Sequence, residues 1–351
     1  MASPKDTADW VALARAGNQR AIARVISQVE NSPTTAQAVI RAVYGDTGRA
    51  HLVGITGPPG SGKSTLVNEL AKAFRARGRT VAIVAVDPSS PFTGGAILGD
   101  RVRMRDLAGD DGIFVRSMAS RGGLGGLARA TAAVVKVLDA AGYNMILIET
   151  VGAGQAEVDI ATAAQTTVVL EAPGMGDDVQ SIKAGILEIA DILVVNKADR
   201  PGASRAVKSL EMMLHLGLAA DPETAAHGAG HGDGQAPAGR PDRSSVLARW
   251  NVPVLETVAT EGRGVAELAA MIDDHRRYLE DSGVGRARER LRAEREIAAA
   301  LHDRFVARLE AAVPPEARAA LTEAVAARRL DPDSAAEQLL AGLESNHRSL
   351  T

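Results

Sequence analysis

The chain has 351 residues and no cysteine, which excludes disulfides, thiolate metal sites and a cysteine nucleophile. Its net charge of −3 argues against bulk attraction to nucleic acid or to an acidic membrane, so neither partner is expected. There is no apolar signal core at the start and no run of about eighteen apolar residues, and a cytoplasmic location is the expectation.

Residues 6–44 read as helices. Trp10, Leu13 and Ala14 share one stripe, Ile22, Val25, Ile26 and Val29 a second, and Val39, Ile40 and Val43 a third. Asn31-Ser32-Pro33 breaks the run. These helices are expected to cover an edge of the main domain, with a partner-binding arm as the alternative.

An apolar run, Leu52 to Ile55, leads into Gly57, Pro58, Pro59, Gly60, Ser61, Gly62, Lys63 and Ser64, then Thr65. The eight residues match the phosphate-loop pattern G-x-x-x-x-G-K-[ST] at every fixed position, between a candidate strand and a candidate helix. Glycines let successive backbone N–H groups wrap an anion. The helix N-terminus adds partial positive charge. Lys63 would reach the β- and γ-phosphates, and the Ser64 hydroxyl would bind Mg²⁺.

Residues 80–86 form a near-continuous apolar strand, as a buried parallel strand requires, and it ends at Asp87. Ligands of parallel α/β sheets sit beyond the carboxyl ends of the strands, so Asp87 is a candidate Mg²⁺ residue. Residues 92–126 are glycine-rich, polar and cationic, which suits a segment that changes shape. Asp100 is a second Mg²⁺ candidate. Arg101, Arg103, Arg105, Arg116 and Arg121 are open to reading as phosphate contacts, partner contacts or a solvated face, and for each one singly the solvated face is favoured.

Residues 127–141 read as an Ala/Val helix. The strand Tyr143 to Ile148 ends in Glu149, followed by Thr150-Val151-Gly152. An acid at a strand end faces Mg²⁺ or its water shell, and a glycine beyond it lets a backbone N–H approach a γ-phosphate. Gln155 is a candidate for orienting water, although an exposed loop glutamine is the plainer reading. The strand 166–170 runs into a long acidic loop, 171–180, read either as a third moving segment or as a capped loop.

The strand 192–195 is followed directly by Asn196, Lys197, Ala198 and Asp199. N-K-x-D after a buried strand is the guanine-reading pattern: the aspartate accepts from guanine N1–H and the exocyclic amine, and the lysine stem stacks on the base. Adenine lacks those donors and would leave buried polar groups unpaired. Residues 219–245 turn to Ala, Gly, His, Asp and Pro, a low-complexity insertion. A last strand from Pro253 leads through Thr257, Val258 and Ala259, whose backbone N–H groups are expected at the guanine carbonyl. Beyond 283 the chain is charged and helical, with Leu291, Ile297, Leu301, Phe305 and Leu309 in one stripe. A hairpin of this size cannot bury its own stripe, so it packs on the core or, the preferred reading, on a second copy.

An α/β fold follows: a P-loop NTPase domain with a mostly parallel central sheet flanked by helices, extended by helices at both ends. The expected parts are 1–48, a GTPase domain 49–280 interrupted by 219–245, and a dimerisation arm 281–351.

These motifs together, namely 57–64, Asp87-Pro88-Ser89-Ser90-Pro91, 94–104, Glu149 to Gln155, Pro173 to Asp177 and 196–199, resemble the MeaB/ArgK group of GTPases, of the SIMIBI class of P-loop proteins. The resemblance covers about residues 8–340 without the insertion. It implies a GTP- and GDP-binding, Mg²⁺-dependent homodimer that acts as a chaperone for an adenosylcobalamin-dependent acyl-CoA mutase, typically methylmalonyl-CoA mutase. Such proteins gate cofactor loading and protect the mutase. Carried over, Ser64, Asp87, Asp100 and Glu149 match the Mg²⁺ and switch positions, and residues 171–181 match an additional switch at the mutase contact. The insertion at 219–245, and Glu171, Ala172 and Met175 in that switch, depart from most relatives.

The expected reaction is GTP + H₂O to GDP + phosphate, with Lys63, the loop amides and Mg²⁺ neutralising charge and Glu149 or Gln155 orienting the water. Two other classes compete. A metallochaperone GTPase normally carries Cys or His clusters, and here the only such pair, His227 and His231, lies in the insertion. A small-molecule kinase would leave N-K-x-D unexplained.

Overall fold

The computed structural model describes residues 6–87, 105–107, 109–119, 126–150, 163–174, 189–219 and 250–348. The chain divides into two units, Met1–Gly285 and Arg286–Thr351.

The first unit opens with three capped helices, α1 (Thr7–Arg15), α2 (Gln19–Asn31) and α3 (Pro33–Val43). Asp6 and Asn18 each accept a backbone N–H of the first turn, from Asp9 at 2.9 Å and Ala21 at 3.0 Å. The break at Asn31-Ser32-Pro33 is a one-residue joint. Ser32 ends α2 and caps α3 through the Thr35 N–H at 3.2 Å, and Pro33 takes the first helical turn.

Seven strands follow: β1 (His51–Thr56), β2 (Val81–Asp87), β3 (Ile113–Ala119), β4 (Met145–Thr150), β5 (Thr166–Glu171), β6 (Ile192–Asn196) and β7 (Val254–Thr257). They form one parallel sheet in the order β3-β2-β4-β1-β5-β6-β7. From β1 the chain runs to one edge, returns to β4, then crosses to build the other side. The carboxyl end of β1 therefore lies at the reversal of strand order, where ligands of open α/β sheets bind.

Successive side chains leave a strand on opposite faces. Val53, Ile55, Val81, Ile83, Met145 and Leu147 pack on one face with α4 (Lys63–Ala76) and α7 (Val265–Asp281). Ala82, Val84, Val86, Ile146 and Ile148 pack on the other with α1–α3 and α5 (Gly126–Ala140). α6 (Ala203–Ala219) covers Val169, Leu193 and Val195. The N-terminal helices thus cover a sheet face rather than an edge, because an all-parallel sheet must bury both faces.

β3 falls within the stretch 92–126, read from sequence as glycine-rich, polar and cationic. It pairs with β2 along its whole length, from Val81↔Ile113 to Asp87↔Ala119. Its Arg116, favoured as a solvated cation, is instead half-buried against Glu30 and Ser27 of α2. A charge is tolerated inside this strand because a carboxylate from another element meets it.

A buried polar chain crosses the opposite, amino ends of the strands. His51 Nε2 and His275 Nδ1 each lie 2.8 Å from the Thr166 hydroxyl, and His275 Nε2 lies 3.3 Å from Asp191. Asp191 also accepts the Thr167 N–H at 2.8 Å, and its carbonyl accepts the Trp250 indole N–H at 2.7 Å.

In the second unit α8, which starts just before it (Val284–Ala312), is followed by α9 (Pro315–Ala326) and α10 (Pro332–Arg348). Leu291, Ile297, Leu301 and Phe305 of α8 are 44–68% exposed. Among the described residues no helix is long and apolar enough to cross a membrane.

Candidate functional site

The site is built at the carboxyl ends of β1, β4, β5 and β6. The loop after β1 turns back sharply at Gly57, whose φ is +140°; an added Cβ there would collide with the Leu170 carbonyl of β5. Gly62, at φ +95°, caps α4, and its missing Cβ leaves room for the Asn196 amide. Only glycine fits these two points at low cost. Between them the Ser61 hydroxyl is fully buried and has no hydrogen-bond partner.

Lys63 opens α4 and is buried. Its ammonium donates to Gly57 O at 2.7 Å and Pro58 O at 3.0 Å, which holds the charge across the mouth of the loop. The Ser64 hydroxyl donates to Glu149 Oε1 at 2.5 Å. Glu149 ends the apolar run of β4, paired with Ile55 of β1 and Ala85 of β2, and is 5% exposed. A buried carboxylate and a hydroxyl on two rigid elements are hard oxygen donors, so these two residues fit a Mg²⁺ ion. Asp87 closes β2, but its side chain, together with Asp100 and Gln155, lies outside the described residues, as do Arg101, Arg103 and Arg121. Most of the loop after β5 lies outside them too; its start, Glu171 to Gly174, is described, with Pro173 Cβ 3.9 Å from where a Cβ on Gly202 would lie.

Asn196 and Lys197 bind the phosphate loop to the far end of the sheet. Asn196 Nδ2 donates to Ser61 O at 2.8 Å. Its Oδ1 accepts from the Thr257 hydroxyl and the Ala259 N–H, both at 3.1 Å. Lys197 stands at φ +59°, and its ammonium donates to Gly60 O at 2.7 Å. Asp199 is exposed at the rim, open to a base. One expectation needs correcting. The Val258 N–H donates to Arg263 O at 3.0 Å and the Ala259 N–H to Asn196, so both hold the loop in shape and neither is free for a guanine carbonyl. The closing turn Val258–Arg263 takes the first of these amides and the Asn196 carboxamide the second.

Sequence reasoning passed over the Thr56–Thr150 pair. The Thr150 hydroxyl donates to Thr56 Oγ1 at 3.0 Å, and both side chains are buried. The available signal was a threonine closing each of two buried strands.

The arrangement can do three things. It can wrap a polyphosphate with loop amides, an ammonium and a helix N-terminus. It can offer oxygen ligands to a hard cation beside that phosphate. It can also present a carboxylate, Asp199, to a base whose loop is tied to the phosphate loop by two side chains.

Comparison with known proteins agrees. Residues 19–314 match the family model described as methylmalonyl Co-A mutase-associated GTPase MeaB. A putative GTPase of Pyrococcus abyssi is 46% identical over 324 residues, 92% of this chain and 93% of that protein. The GTPase ArgK of Escherichia coli is 34% identical over 277 residues, 77% of this chain and 76% of that protein. A crystal structure titled as a LAO/AO transport system kinase superposes with a TM-score of 0.65 at 24% identity, covering 97% of this chain and all of that one, and supports the fold.

Proposed function

We propose that this chain, which belongs to the MeaB family of methylmalonyl-CoA mutase-associated GTPases, is a Mg²⁺-dependent, homodimeric G-protein chaperone for an adenosylcobalamin-dependent acyl-CoA mutase in the cytoplasm. GTP binding and hydrolysis belong to the family. The chaperone role, the cation and the dimer are our reading. Methylmalonyl-CoA mutase is the first candidate partner, because the family is linked to it. The reading needs no nucleic-acid or membrane partner.

The observation that carries it is the shared frame of the two loops. Asn196 and Lys197 hold Ser61 and Gly60, so the loop that would read guanine is hydrogen-bonded to the loop that would hold phosphate. Lys63 would leave its two carbonyl partners to neutralise β- and γ-phosphate charge. Ser64 and Glu149 would hold the cation, which supplies charge stabilisation to the transferring phosphoryl group. Glu149, and Gln155 from the loop beyond, are the groups we assign to orienting the water. A stabilising group supplied only in the complex would make intrinsic hydrolysis slow and the partner an accelerator. The exposed α8 stripe supports the dimer, since an apolar face on a helix of this length needs a cover.

The test is GTP turnover by the chain alone and with purified methylmalonyl-CoA mutase, together with co-elution in a non-hydrolysable GTP analogue. At least tenfold faster turnover and a stable complex are expected. No acceleration and no complex, with this mutase and with other cobalamin-dependent acyl-CoA mutases, overturns the chaperone reading and leaves the GTPase standing.

A further inference from the structure

The backbone ladder between β1 and β4 ends at Ile55↔Glu149. One residue further, β1 becomes the phosphate loop at Gly57 and β4 leaves the sheet after Thr150. The last registered β1–β4 pair lies one residue before that row. The row holds two threonines instead, and the Thr150 hydroxyl donates to Thr56 Oγ1 at 3.0 Å.

Alternation along the strands sorts the functions of this row. Ile55 points into the layer shared with α4. Glu149 is its register partner and meets Ser64 of α4 on that side. Thr56 and Thr150 therefore leave the sheet on the opposite face, where the preceding β4 residues Ile146 and Ile148 are buried among apolar side chains. Valine has the volume and branching of threonine and would suit that layer without a hydroxyl to satisfy. Two threonines in contact, just beyond the last registered β1–β4 pair, add a side-chain tie where the backbone ladder ends. The tie is well supported from outside: β4 is still paired to β2 at Val86↔Thr150, and β1 to β5 at Thr56↔Val169.

We propose that Thr56 and Thr150 are positioning residues. Their hydroxyl bond keeps β1 and β4 from splaying at the mouth of the phosphate loop, and so holds Glu149 at Ser64 in the geometry that Mg²⁺-nucleotide needs. The inference rests on the reading of Ser64 and Glu149 as the cation site. Both threonines act through their chain neighbours Glu149 and Gly57 rather than through a ligand contact of their own.

The experiment measures release of a fluorescent GDP analogue across a Mg²⁺ titration, beside GTP turnover. Thr150→Val should raise the Mg²⁺ concentration needed for half-maximal slowing of release about fivefold, the change one ordinary hydrogen bond carries. Release in EDTA should stay at the wild-type rate. Turnover should fall in kcat with little change in KM for GTP at saturating Mg²⁺. Thr150→Ser should restore both readouts. Thr56→Val should match Thr150→Val, and the double variant should be no worse than either, since all three lose the same bond. If Thr150→Val does not fold, Thr56→Val reads the same bond from the other side. A wild-type Mg²⁺ midpoint, an equal loss of affinity with and without Mg²⁺, or multiplying effects in the double variant would each overturn the proposal. Ser64→Ala separates it from its premise. A Mg²⁺ response unaltered in Ser64→Ala removes the cation site and the tie's role with it. A lost response there, with a normal one in Thr150→Val, removes the tie alone.

Discussion

Burial of His51 at the start of β1 makes the fold acid-labile by a calculable amount. Its imidazole is fully buried, hydrogen-bonded through Nε2 to Thr166, and its Nδ1 has no hydrogen-bond partner. Burial, then the charges of Arg276, His275 and Arg79, push its pKa down from 6.5 to about 3, while Asp191 pulls weakly the other way. The folded chain therefore holds this ring neutral at pH values where the unfolded chain would protonate it. The stabilisation is complete above pH 6.5 and is lost as pH falls from there toward 3. Each pH unit in that window costs about 1.4 kcal/mol. Between pH 7 and pH 5 the loss is about 2 kcal/mol, a sizeable part of an ordinary domain's stability. His51→Gln keeps a hydrogen-bonding group for Thr166, as donor or acceptor, and removes the titration. Urea unfolding of both proteins at pH 7, 6 and 5 isolates the residue, because every other titrating group is common to the pair. The variant should lose about 2 kcal/mol less than wild type over that range. An equal loss in the two proteins would refute the reasoning and place the acid sensitivity elsewhere.

Three further outcomes are expected. Asp199→Asn should weaken GTP by at least about tenfold, since the paired donors of guanine lose their acceptor, and should favour xanthosine nucleotides; calorimetric titration checks this, and unchanged GTP affinity removes the guanine assignment. Gly62→Ala forces a side chain to φ +95° and drives its Cβ into the Asn196 amide. It should cost roughly 1–3 kcal/mol of stability and abolish nucleotide binding, read by thermal melts with and without GDP. Deleting residues 284–351 removes the exposed α8 stripe and should yield monomers by light scattering; a persistent dimer would place the interface elsewhere.

Much of this protein is written locally. The phosphate loop is identifiable from eight consecutive residues between an apolar run and a helical one, and N-K-x-D from four residues after another apolar run. The joint at Ser32 is a short-range matter of capping and of proline lacking an N–H. Buried strands announce themselves as runs dominated by Val, Ile, Leu and Ala because both sheet faces are covered. The tertiary structure alone decided what those motifs touch. Ser64 meets Glu149 across 85 residues of chain, Thr150 meets Thr56 across 94, and Asn196 meets Ser61 across 135. Whether Arg116 is a free cation or the partner of Glu30, and whether the amides after β7 are open or spent, depends on which elements the strand order brings alongside. A residue's periodicity shows which face it takes. It does not show the neighbour on that face, because the neighbour is set by sheet order and register, and those are settled by the summed burial of the whole core.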